Sequence, residues 1–183
     1  MATSITKELN KYLKELTKEE LEKEIRKLYS KFENVKEYYK LELGEDTSKV
    51  LGEYKRKIRG EYFSKRGMGR ASSKESRKVI SEFKKISIFQ DDVIELLLYR
   101  VEVMQEFANE YGDAGYVSEP FCSSMTTSFQ EACKLIKTEK LETKFRPIVQ
   151  KMVTASAYFG WYVEEAFAHY YHVYLGEQDS SEA

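Results

Sequence analysis

Apolar residues return at steps of three and four along most of this chain, beginning with Ile5, Leu9, Tyr12, Leu13 and Leu16. That spacing puts them on one side of an α-helix and scatters them across both faces of a strand. The same pattern repeats in Leu21, Ile25, Leu28, Tyr29 and Phe32, and in Val50, Leu51, Tyr54 and Ile58. It returns in Val93, Ile94, Leu97, Val101, Met104 and Phe107, and in Phe121, Met125, Phe129, Cys133 and Ile136. Turn-forming residues are scarce, with nine glycines and two prolines in 183 residues. A β-rich fold needs many more. The expectation is an all-α chain of eight or nine helices, arranged as an irregular bundle or as a short array of helical hairpins.

Helix boundaries are marked by local chemistry. Thr17 followed by Glu20, and Ser72 followed by Glu75, have the spacing of a capping box, in which each side chain satisfies a free amide of the new helix. Gly44 offers a left-handed stop, and Asp46 to Ser48 can cap the helix that follows. Asp91 and Asp92 suit a helix start, the run from Tyr111 to Gly115 suits an end, and Ser118 with Pro120 opens the next helix. Pro147 falls near the start of a further helix, and the last helical run is expected over 161–175. We expect one domain over 1–175, a basic glycine-containing loop near 60–73, and a polar tail at 176–183.

At 42% hydrophobic, with 30 basic and 31 acidic residues, the chain can bury a core, and its near-neutral charge calls for neither nucleic acid nor a membrane. Cys122 and Cys133 lie eleven residues apart, about 16 Å along one helix, too far for a disulfide. This suggests a reducing, cytoplasmic setting. The first residues show no apolar run with a small-residue cleavage site, so no export signal is expected.

Leu16-Thr17-Lys18-Glu19-Glu20-Leu21, Leu28-Tyr29 and Val35-Lys36-Glu37-Tyr38-Tyr39 resemble the opening of a bacterial all-helical family known only as a domain of unknown function. The resemblance covers about the first forty residues. It implies a small bacterial helical protein and carries no reaction, ligand or catalytic residue.

No phosphate loop, nucleophile elbow, His-Glu-x-x-His or Cys-x-x-Cys occurs, and no cofactor is implied. The expectation leans away from an enzyme and towards a non-catalytic module that binds another protein or itself. Two segments offer alternatives. From 55 to 78, the residues Lys55, Arg56, Lys57, Arg59, Lys65, Arg66, Arg70, Lys74, Arg77 and Lys78 face only Glu61 and Glu75, a net charge of +8. Such a patch can attract the phosphates of nucleic acid, with Tyr54, Tyr62 and Phe63 as stacking faces. The plainer reading is a solvated loop whose cations meet acidic helices elsewhere.

In the last helix, Tyr158, Trp161, Glu165, His169 and His172 fall within about an 80° stripe. Glu165, His169 and His172 are a donor set used by iron and zinc enzymes, although three ligands on one helix need support from another. The plainer reading is a polar seam bonded to its neighbours. Val163, Phe167, Tyr170 and Tyr174 form the opposite face. A helix apolar on two faces is central in its own domain or shared with a partner, so Trp161, Phe167, Tyr170 and Tyr174 are candidates for a dimer interface.

Overall fold

The computed structural model describes residues 2–44, 46–157, 159–160 and 162–176, with side chains from Ile5 onward. Nine α-helices occupy these residues, as the periodicity predicts, and the chain divides into two compact units, Met1–Glu45 and Asp46–Ala183.

The first unit contains α1 (Ala2–Glu15), α2 (Lys18–Lys31) and α3 (Glu33–Glu42). Thr17 caps α2 as its spacing predicts. Its hydroxyl accepts the Glu20 amide at 3.3 Å, and the Glu20 carboxylate accepts the Thr17 amide at 2.8 Å. Phe32, in an extended conformation, ends α2 and starts α3, which turns the two helices against each other and sets Tyr29 edge-on to Tyr39. Gly44 ends the unit at φ +97°, a conformation that glycine adopts without the clash of a Cβ.

The second unit contains α4 (Thr47–Tyr62), β1 (Phe63–Ser64), β2 (Gly67–Met68), α5 (Ser73–Ile86), α6 (Gln90–Tyr111), α7 (Glu119–Thr138), α8 (Glu142–Ala155) and α9 (Val163–Leu175). The two strands form a minimal antiparallel hairpin, pairing Phe63 with Met68 and Ser64 with Gly67. Helix α4 therefore runs through Gly60, and the break in periodicity at 60–73 comprises the last turn of α4, the hairpin and a short link. Pro147 sits in the second turn of α8, slightly deeper than a position at the helix start.

This unit is an irregular bundle, and α6 lies at its centre. Val93, Ile94, Leu97, Val101, Met104 and Phe107 are all buried, and so are Leu96, Leu98 and Val103, which closes α6 off on nearly every side. Phe107 gathers an aromatic group with Tyr62 at 5.8 Å, Phe121 at 5.7 Å and Tyr111 at 5.0 Å. Across the bundle, Phe129 of α7 stacks flat on Phe167 of α9, with centroids 3.9 Å apart. Among the described residues no helix is long and apolar enough to cross a membrane.

Candidate functional site

The segment that follows the hairpin is fixed by close approach to the end of α4. The Gly69 amide donates to the Tyr62 carbonyl and the Ala71 amide to the Glu61 carbonyl, both at 2.7 Å. A Cβ at position 69 would lie 2.6 Å from the Glu61 carbonyl oxygen, so only glycine fits. Ala71 completes the turn at φ +49°, a left-handed conformation that costs a residue with a Cβ roughly 1–2 kcal/mol. The Ser72 hydroxyl then accepts the Glu75 amide at 3.2 Å and starts α5. Of the capping box expected there, this is the half that is formed.

These contacts set Arg70, Ser73 and Arg77 around a cleft of about 350 Å³. Phe107, Tyr116 and Phe121 add ring surface, Ser118 and Pro120 bring in the start of α7, and none of the lining residues is acidic.

Beneath Ser73 lies Arg100, fully buried in the middle of α6. Its guanidinium donates to the Ser76 hydroxyl at 2.9 Å, the Ser124 hydroxyl at 2.8 Å, the Ser124 carbonyl at 3.0 Å and the Ser128 hydroxyl at 2.5 Å. Longer bonds of 3.4 Å reach the Tyr62 hydroxyl and the Ser73 carbonyl. Side chains of α4, α5, α6 and α7 thus converge on one cation, giving these helices a shared interior. Every one of these partners is neutral. Burial pushes the guanidinium down from its ordinary value, and the nearby Arg77 charge pushes the same way. An arginine still keeps its proton at physiological pH, so a positive charge stays in the core.

The ten cations of 55–78 divide into three groups. Those of α4 turn mostly to partners: Lys55 pairs with Glu95, Arg56 with Glu53 at 3.8 Å, and Arg59 grips Glu106 through two bonds of 2.7 Å. Lys57 lies 4.1 Å over the Tyr54 ring. The Arg59 pair holds the Glu106 carboxyl below its usual range. Lys65 and Arg66 stand exposed at the hairpin turn. On the link and α5, Arg70 and Arg77 line the cleft, Lys74 is exposed, and Lys78 sits 4.0 Å from Glu82. Tyr62, a candidate for base stacking, is fully buried and bonds the Ser76 hydroxyl at 2.8 Å. It is a core residue.

Glu165, His169 and His172 are all exposed on α9, and among the described residues no group of three His, Cys, Asp or Glu could hold a metal ion. The expected C-terminal metal site is therefore unsupported. The seam reading fares no better for these three, which lie on the open side of the helix. On the opposite face Val163 and Phe167 are fully buried, and Tyr170 and Tyr174 are half-buried. Phe167 is spent on Phe129 of its own chain. Tyr158 and Trp161 lie outside the described residues, as does the tail beyond Gly176. Both cysteines are free and buried in α7, and burial pushes the Cys133 thiol up to about 12.

Sequence reasoning missed Arg100 and its ring of serines. The signal was a charge on the core stripe, three residues after Leu97 and four before Met104, facing a helix with serines four apart at 124 and 128.

Against known proteins, a model described as a family of unknown function, DUF6155, matches residues 4–174. The chain belongs to this family. The match runs far beyond the first forty residues that carry the N-terminal resemblance, and takes in both units. No curated protein and no solved structure matches the chain.

Proposed function

We propose that this DUF6155 protein is a non-catalytic interaction module whose first unit associates with a second copy of the chain. One observation carries the reading: the apolar stripes of α1 and α2 are uncovered. Ile5, Leu9, Tyr12 and Leu13 on α1, Ile25, Leu28 and Tyr29 on α2, and Phe32 just past its end are 39–71% exposed. At roughly 150–200 Å² for each whole side chain, they leave roughly 600–750 Å² of apolar surface, close to the ~800 Å² that each partner buries in a standard interface.

The spacing favours another helix of the same kind as the occupant. Within the helices, residues 5, 9 and 12 of α1 and 21, 25 and 28 of α2 are spaced by four and then three, with Leu16 and Phe32 just past the helix ends. That alternation is the seam of a helical coil, in which each apolar side chain enters a gap in the facing helix. The flanks carry both signs of charge, paired as Lys11 with Glu15 and Lys27 with Glu24, so a like copy meets no net repulsion. Two free, buried thiols suit a reducing compartment such as the cytoplasm.

Sedimentation equilibrium over about a hundredfold range of concentration tests the reading, since association follows mass action. The mass is expected to rise from 21.5 kDa towards twice that value. Leu9→Lys combined with Leu28→Lys is expected to hold the chain at the monomer with its helicity kept. A wild-type mass of one chain at every concentration overturns the proposal.

A second reading, nucleic-acid binding through 55–78, is supported by Lys65, Arg66, Arg70 and Lys74, which are exposed and make no ion pair among the described residues. Serine at 65, 66 and 70 should then weaken binding and flatten its salt dependence. No retention of wild-type protein on nucleic acid at low salt ends this reading.

A further inference from the structure

We propose that the cleft between the starts of α5 and α7 binds a small phosphate ester that carries a flat apolar body. This goes beyond the association surface and uses different residues.

The first support is charge without an acidic partner. Arg77 Nε and Arg100 Nη2 both donate to the Ser73 carbonyl, at 3.2 Å and 3.4 Å, so two guanidiniums meet at one neutral oxygen. Arg70 lines the same cleft, and no carboxylate lies among its walls. Arg77 and Arg70 thus face the cleft with no acidic residue among its walls, and an anion seated there is attracted by both. Guanidinium forks match the oxygens of phosphate with parallel hydrogen bonds.

The helix starts add a second, directional contribution. Ser72 caps only the Glu75 amide of α5, and the Ser118 hydroxyl makes no capping bond to α7. Ser73 at the start of α5 and Ser118 and Pro120 at the start of α7 border the cleft, so the positive potential of two helix starts lies beside it, moderated by Glu75 and Glu119 in their first turns.

The remaining walls decide the rest of the ligand. Phe121 is buried, and Tyr116, at 53% exposed, is an aromatic wall that a flat ligand can reach. The volume of about 350 Å³ matches the lower end of small-molecule pockets, which extend from roughly 300 Å³. It suits one phosphate and one ring system better than a run of nucleotides. The strained Ala71 and the obligatory Gly69 hold the Arg70 segment in place, and strain of this kind gathers where a chain clamps a ligand.

Calorimetric titration of the whole chain with inorganic phosphate, a nucleoside 5′-monophosphate, the same nucleoside without phosphate, and a short single-stranded oligonucleotide tests the proposal. The monophosphate is expected to bind once per chain and at least about tenfold more tightly than inorganic phosphate, with the bare nucleoside giving no measurable heat. Arg77→Gln and Arg70→Gln, both at exposed positions, should each weaken it by about tenfold with helicity unchanged. Lys65→Gln with Arg66→Gln, outside the cleft, should leave it unaltered.

Displacement of the oligonucleotide by the monophosphate supports the cleft as the phosphate site. Tight oligonucleotide binding that the monophosphate does not displace places the phosphate chemistry on the hairpin and overturns the proposal. It is equally overturned if no phosphate compound saturates the protein, or if Arg77→Gln and Arg70→Gln bind as the wild type does.

Discussion

Helices α2 and α6 reach the same conformation by opposite means. Helix α2 has no buried residue, yet its ends are finished in detail, with the Thr17–Glu20 box, Glu19 and Glu20 in the first turn, and Lys31 in the last. Helix α6 starts at Phe89 with no side-chain cap and has no basic residue in its last turn, yet it is buried for most of its 22 residues. Local chemistry holds α2, where capping and charge each contribute about 1 kcal/mol or less. Packing holds α6, where one large apolar side chain contributes roughly 1.5–3 kcal/mol. The first unit is thus helical but lightly packed among its own described residues, as the proposed association requires.

The largest expected effect separates the two regions most sharply. Phe167→Ala removes a fully buried ring stacked on Phe129 and should cost about 3–5 kcal/mol of second-unit stability, read by denaturant unfolding. The loss should not vary with protein concentration, because that ring packs within its own chain. Leu9→Ala, at a position 50% exposed, should change monomer stability by no more than about 0.5 kcal/mol while weakening association. Equal losses for the two would break the contrast between packed and unpacked helices.

Arg100→Ala sharpens it from the polar side. The Ser124 and Ser128 hydroxyls and the Ser124 carbonyl lose their shared donor, and a large cavity opens between four helices. Against this stands the relief of a buried charge with no acidic partner, so a net loss of about 2–3 kcal/mol is expected, smaller than for the ring. Thermal unfolding followed by circular dichroism reads it. A variant as stable as the wild type would mean that desolvation of the guanidinium cancels its bonds, and that the arginine is kept for the cleft above it.

What could be read in advance divides along the same line. The α2 cap, the Gly44 stop and the long stripe of α6 depend on residues a few positions apart, and they appear where the spacing puts them. The Arg100 cluster depends on residues 62, 73, 76, 124 and 128, and a lone arginine on a stripe looks like its solvated edge until the facing serines are known. The basic segment is legible only in part for the same reason: the plainer expectation, cations that meet acidic helices elsewhere, could not name the carboxylates. Lys55 and Arg59 look free in the sequence because their carboxylates, Glu95 and Glu106, lie 40 and 47 residues on. Two-residue strands leave no alternation to detect, so the hairpin at 63–68 reads only as a gap between helices.

The smallest expected effect lies at the other pole of the comparison, in the α2 cap. Thr17→Ala removes the acceptor for the Glu20 amide and should cost about 1 kcal/mol of local helix stability, seen as faster amide hydrogen exchange in α2 and unchanged exchange in α6. The same cap makes α2 sensitive to acid. The Thr17 backbone amide, and then its hydroxyl, hold the Glu20 carboxyl below its ordinary value. A carboxyl lowered on folding stabilises the helix fully above its unfolded pKa, near 4.3, and the benefit is lost as pH falls through the lower folded value. Protection of the first α2 amides should therefore decline below about pH 4 in the wild type, and that part of the decline should be absent in Glu20→Gln, which has no charge to lose. Were α2 held by burial instead, neither substitution would alter its exchange without also altering the packing of α3.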